Sequence, residues 1–106
     1  MSTTQAGMIH TVYFWLTPGL SEADRTDFVR GAEALATAPT VLQFYGGSPV
    51  ATTPRDVTDH SFDYCIHLFF ADVAAHEAYQ IDPIHLKFVD EQAHKFRTVK
   101  VLDNLV

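Results

Sequence analysis

Hydrophobic positions along the chain follow two rhythms. Residues 9–16, Ile-His-Thr-Val-Tyr-Phe-Trp-Leu, are β-branched and aromatic and read as a strand. Thr17-Pro18-Gly19 stops it. The period then lengthens. Phe28, Ala32, Leu35 and Ala36 share one face at helical spacing, which predicts a helix from Ser21 to about Ala36. Ser21-Glu22-Ala23-Asp24 opens it like a capping box with Asp in place of Glu, and Ala38-Pro39 ends it. Residues 40–45 predict a short second strand closed by Gly46-Gly47. Residues 48–60 are rich in Ser, Thr, Pro and Asp, the composition of a loop and a candidate lid. Over 61–70, Phe62, Tyr64, Ile66, Leu68 and Phe70 alternate with Asp63, Cys65, His67 and Phe69, the mark of the longest strand. Asp72 is placed to cap a short helix over 73–80. Asp82-Pro83 restarts the helix, which runs to about Phe96, with Pro in the first turn where its missing N–H costs nothing. Residues 97–102 predict the last strand. Residues 1–7 read as a flexible lead-in to one domain over 8–106.

The order β-α-β-β-α-β, with the second helix broken, is the α+β, ferredoxin-like arrangement. It predicts a four-stranded antiparallel sheet with helices on one face. Such a sheet normally carries polar residues on its other face. The first strand does not. His10, Val12, Phe14 and Leu16 form one side, but Ile9, Tyr13 and Trp15 make the other largely apolar as well. Cys65 and Phe69 add to that second apolar side. Helices of one chain cover one face; a second copy, sheet against sheet, is expected to cover the other.

Composition narrows the function. At 106 residues and 47% hydrophobic, the chain builds one core. Seven basic against thirteen acidic residues give a formal charge of −6, with no basic cluster to hold nucleic acid or an anionic membrane. The single cysteine, Cys65, makes no internal disulfide and no thiolate zinc site alone. No apolar run reaches the roughly 18 residues of a membrane span, and the start lacks the pattern of a signal peptide. A cytoplasmic location is the expectation.

Six histidines are many for this length. His67, His76, His85 and His94 recur every nine residues, which on a helix puts neighbours on opposite sides. There is no His-x-x-x-His pair and no carboxylate cluster, so no metal site and no cofactor are expected. His76 and His94 read as solvated helix positions, and His60 lies in the loop. Cys65 and His67 share a strand face at two-residue spacing, roughly 7 Å, too far for a direct hydrogen bond between nucleophile and base. His10 and His85 stand apart. His10 points where Val12 and Phe14 point. His85 sits in the first turn of its helix, where the helix dipole disfavours imidazolium and leaves a neutral ring able to accept a proton. Tyr79, just upstream, is placed to donate to an oxyanion. The plain reading of each is a core residue bonded to backbone.

The stretch Ala78, Tyr79, Pro83, His85 and Phe88, with Met8-Ile9-His10-Thr11-Val12 opening the strand, resembles the Dabb family of stress-responsive dimeric α/β-barrel domains. The resemblance covers roughly residues 8–103. It implies a homodimer whose two sheets close a barrel, with a pocket between sheet and helices in each protomer. It also implies relation to the plant olivetolic acid cyclase, which closes a linear tetraketide thioester by aldol chemistry without a cofactor. The catalytic positions it implies here are His85 and Tyr79, with His10 in the same pocket. Val12, Phe14, Phe28, Ala32, Phe88, Val89 and Phe96 are then expected to bind substrate. Two main readings stay open: a cofactor-independent cyclase or lyase acting on a small aromatic or polyketide-like molecule, and a non-catalytic stress-response domain that binds a small ligand. A haem-handling barrel is a third, which nothing in the spacing demands.

Overall fold

The computed structural model describes residues 5–106. Residues 1–4 of the expected lead-in lie outside that range. Gly7 is already tied to the sheet: its N–H donates to the Phe70 carbonyl, and its own carbonyl accepts from Val106.

The elements are β1 (Met8–Leu16), α1 (Glu22–Ala34), β2 (Gln43–Gly47), β3 (Tyr64–Phe70), α2 (Val73–Gln80), α3 (Pro83–Gln92) and β4 (Phe96–Leu105). All strand pairings are antiparallel, in the order β2-β3-β1-β4. This is the ferredoxin-like fold, with β-α-β-β-α-α-β order once the broken helix is counted as two. The caps explain where the helices begin. Ser21 Oγ accepts from the Asp24 N–H at 3.1 Å, Asp72 from Ala75 at 2.8 Å, and Asp82 from Ile84 at 2.8 Å. Pro83 follows Asp82 at the helix start, so one cap closes the break between α2 and α3. Gly19, at φ 85°, makes the turn between β1 and α1 that a Cβ would strain.

The core lies between the sheet and the helices. Met8, His10, Val12, Phe14 and Leu16 of β1 are buried there, with Tyr64, Ile66, Leu68 and Phe70 of β3. Phe28 of α1 is its centre. Its ring lies 5.2 Å from Phe14, 5.7 Å from Tyr64, 6.0 Å from Phe96 and 6.2 Å from Phe88. Such edge-to-face and tilted aromatic pairs add to the burial term. Beside them sits a polar seam that the pattern of apolar residues does not announce. Lys95 is buried, and its Nζ donates to the Asp24 carbonyl, Asp27 Oδ2 and Gln92 Oε1 at 2.8–3.1 Å. Gln92, Arg30 and Lys95 together hold the Asp27 carboxyl well below the usual carboxylate range. Gly31 lets α1 approach here: a Cβ would meet Gln92 Nε2 at 2.8 Å.

Several expected boundaries move. The buried face of α1 carries Phe28, Gly31 and Ala32, followed by Leu35 in a 3-10 turn, while Ala36 is exposed. Strand β2 begins three residues later than predicted and includes Gly46 and Gly47. Strand β3 starts at Tyr64; Phe62 precedes it and crosses to the opposite side, packing on Tyr13 at 5.0 Å. Helix α3 ends at Gln92, and a 3-10 turn over Ala93–Lys95 hands the chain to β4. That strand reaches Leu105, three residues past the predicted end, because it pairs with β1 along its whole length.

Candidate active site

Three elements deliver polar side chains to one end of the helix–sheet interface. β1 brings His10, buried to 5% exposure. In the antiparallel register its partner on β4 is Asp103, and Nδ1 of the ring meets Asp103 Oδ1 at 2.5 Å. α2 brings His76 and Tyr79, three residues apart and both buried. α3 brings His85, held in the first turn by the Asp82 cap. Ring centroids lie 4.5 Å apart for His10 and His76, 6.2 Å for His10 and Tyr79, and 4.8 Å for Tyr79 and His85. Phe70 floors the group, 5.2 Å from the Tyr79 ring and 5.4 Å from His76.

A cavity of about 170 Å³ opens beside these rings. His10, Tyr79 and His85 line it, with Val12, Phe14, Phe88, Val89 and Phe96. The two other expected pocket residues, Phe28 and Ala32, are not on its wall; both are fully buried in the aromatic core behind it. Leu35, Ile66, Gln80, Val99 and Val101 complete the wall. Val99 and Val101 were legible as alternate residues of the last strand, but only the pairing of β4 with β1 shows which of its faces looks into the pocket.

Burial sets the charge states. Desolvation lowers the His85 pKa from its ordinary value, against a raising hydrogen bond to the Gln80 backbone. His85 Nδ1 is buried with no hydrogen-bond partner among the described residues. Desolvation also lowers His10, although the Asp103 carboxylate pulls the other way. Burial pushes the Tyr79 phenol far up, so it remains a neutral hydroxyl at any ordinary pH. The cluster therefore combines an unoccupied imidazole nitrogen, a neutral phenol and a carboxylate-linked imidazole on one apolar cavity.

Sequence reasoning placed His76 in solvent, and the structure buries it. Its face was readable: His76 lies three residues before Tyr79, so one inward face holds both. The nine-residue spacing of the histidines concealed this, because a helix break separates His76 from His85. Asp103 was missed because the last strand was ended at Leu102. His94 is exposed, as expected, and His60 bonds Thr52 through Nε2 at 2.9 Å.

The opposite face of the sheet carries a second group. Cys65 Sγ lies 3.8 Å from His67 Nε2, closer than the strand repeat alone implied. His67 Nδ1 also meets Thr11 Oγ1 at 3.0 Å. Burial pushes the Cys65 thiol up, so the pair holds a protonated thiol rather than an activated thiolate. A broader hollow of about 340 Å³ lies here, lined by Tyr13, Trp15, Phe62, Cys65, Lys100 and Leu102 among others. It is a concavity of the open sheet face whose lining also includes the titratable Tyr13, Asp59, Cys65 and Lys100. Among the described residues, no helix is long and apolar enough to cross a membrane.

Solved structures share this architecture. A dimeric ferredoxin-like protein of unknown function from Thermobifida fusca superposes with a TM-score of 0.79 at 13% identity, covering 100% of this chain and 96% of that one. A Dabb family protein with a ferredoxin-like fold from Mesorhizobium loti gives 0.75 at 22% identity, covering 96% and 98%. The hydroxynitrile lyase of Passiflora edulis gives 0.79 at 20% identity, covering 93% and 92%. At these identities the likeness speaks for the fold. No curated protein matches the chain by sequence. The family model for the stress responsive A/B barrel domain matches residues 8–106, and the chain belongs to that family, Dabb.

Proposed function

We propose that the protein is a small-molecule enzyme of the cyclase or lyase type, working by side-chain acid–base chemistry in the His10–Tyr79–His85 cavity. The observation that carries this reading is His85 Nδ1, a buried nitrogen left without a partner among the described residues, on a ring that lines a cavity. Buried polar groups normally find partners, and an orphan costs about 1–3 kcal/mol. A group kept in that state at a pocket wall fits a general base awaiting a substrate proton. Tyr79 supplies the matching donor: a neutral hydroxyl with its ring 4.8 Å from His85, placed to hold a carbonyl oxygen as negative charge develops on it. His10, fixed by Asp103, positions the substrate from the sheet side. A base that removes a proton and a donor that holds a carbonyl oxygen serve aldol-type bond formation and the reverse cleavage alike.

The cavity wall of Val12, Phe14, Phe88, Val89 and Phe96 suits an apolar or aromatic substrate body. The retained Tyr79, His85 and His10 support relation to olivetolic acid cyclase, and the fold shared with a hydroxynitrile lyase supports a lyase step. The working unit in this reading is a homodimer joined through the open sheet face. Ile9, Tyr13, Trp15, Cys65 and Phe69 leave that face half-covered and largely apolar, and a solved relative of this fold is described as dimeric.

The test is turnover of α-hydroxynitriles and of polyketide-like thioesters by the wild type and by His85→Ala. Wild-type turnover abolished in a variant that stays folded and dimeric supports the reading; turnover retained in the variant overturns the mechanism. Saturable binding of these compounds without product assigns the same pocket to a non-catalytic ligand-binding role.

A further inference from the structure

We propose that His10, His76 and Asp103 form a binding site for a divalent first-row transition metal ion of the zinc or cobalt class. The three residues come from β1, α2 and β4, and a potential ligand atom on each lies within 4.8 Å of the others. Ligands of one zinc ion sit about 2.0–2.2 Å from it, so they stand no more than about 4.4 Å apart, a spacing that small side-chain rotations reach from here. The donor set is two imidazoles and one carboxylate. Magnesium and calcium prefer all-oxygen shells, whereas imidazole suits zinc, cobalt, nickel and iron. Three protein ligands leave at least one coordination position open, the arrangement of sites that also bind water or a substrate atom.

The second observation is His76 itself. The His10–Asp103 hydrogen bond accounts for two members of the group. It does not account for a second imidazole, 9% exposed, tilted against the first at 4.5 Å between ring centroids. The contacts of His76 are weak ones: the Gln80 amide at 3.2 Å from Nε2 and the exposed Glu77 carboxylate at 3.8 Å from Nδ1. Burying two adjacent imidazoles costs desolvation that a shared cation offsets. Asp103, with its side chain 43% exposed, opens the site to solvent and gives an ion a way in. The inference shares His10 and Asp103 with the acid–base reading but asks only for metal binding, and its test reads bound metal and not turnover.

The full chain is stripped with a chelator, equilibrated with Zn²⁺, dialysed and analysed for zinc per chain; Co²⁺ is then used to record a visible ligand-field spectrum. The expected result is one retained Zn²⁺ per chain and a Co²⁺ spectrum of low coordination number. His76→Ala and Asp103→Asn each lose both signals, and His94→Ala, at an exposed position, keeps them. Circular dichroism checks folding. Should His76→Ala fail to fold, Asp103→Asn at the solvent rim decides. No zinc retained by the wild type, or zinc and spectrum unchanged in Asp103→Asn, overturns the proposal.

Discussion

The two ends of the helix–sheet interface are built from the same elements to opposite effect. At one end, Phe14 of β1 meets Phe28, Phe88 and Phe96, with ring separations of 5.1–6.0 Å from Phe14. At the other, four residues earlier on the same strand face, His10 meets His76, Tyr79 and Asp103. The aromatic end packs around the fully buried Phe28, although Phe14, Phe88 and Phe96 also form part of the cavity wall. The polar end departs further from core packing. It leaves a cavity, an unpartnered His85 nitrogen, and titratable groups out of water. Proteins tolerate such features where a function requires them and offset the cost elsewhere.

The contrast breaks most sharply at Phe28. Replacing it by Ala removes a fully buried ring at the centre of the cluster, and a loss of about 3–5 kcal/mol in urea-unfolding stability is expected. A loss under about 1 kcal/mol would show that the aromatic end does not carry the fold. The polar end answers differently. His85→Phe removes both ring nitrogens, the unpartnered Nδ1 among them, and fills adjoining empty space with the larger ring, so stability stays within about 1 kcal/mol of wild type while turnover disappears. A loss as large as that of Phe28→Ala would make His85 a structural residue.

The smallest effect is in pH. Both His10 and His85 have pKa values lowered from the ordinary 6.5 in the folded protein. Below that value the unfolded chain binds protons that the native state resists. Stability is therefore complete above about pH 6.5 and declines as pH falls toward the native pKa values. A thermal melting series should show this decline, and His85→Phe should make it shallower. A midpoint that rises on acidification through that range would contradict the lowered values. The same shift keeps His85 neutral, and so competent as a base, to lower pH than a free imidazole.

Local features of the chain were open to reading because each rests on near neighbours. Ser21, Asp72 and Asp82 cap helices through N–H groups two or three residues away. The alternation of Tyr64, Ile66, Leu68 and Phe70 needs only the strand repeat. The pocket residues His10, Tyr79 and His85 were found because polar groups on apolar faces stand out. The failures share a cause as well. Phe62 continues the alternation on paper but lies before the strand, so its face is set by the loop. The burial of Lys95 and Gln92 likewise has no local signal, because it rests on Asp27, from a helix some 65 residues earlier.

The amino-acid sequence by itself determined the element order, the helix starts, the two-sided apolar sheet and the three residues around which the candidate site is built. These follow from periodicity and capping, which act within a turn or a strand. The tertiary structure alone decided what those residues meet. Strand register set Asp103 against His10, the packing of α2 turned His76 inward, and core packing withdrew Phe28 and Ala32 from the cavity wall. Each of these depends on contacts between positions far apart in the chain, which no local pattern encodes.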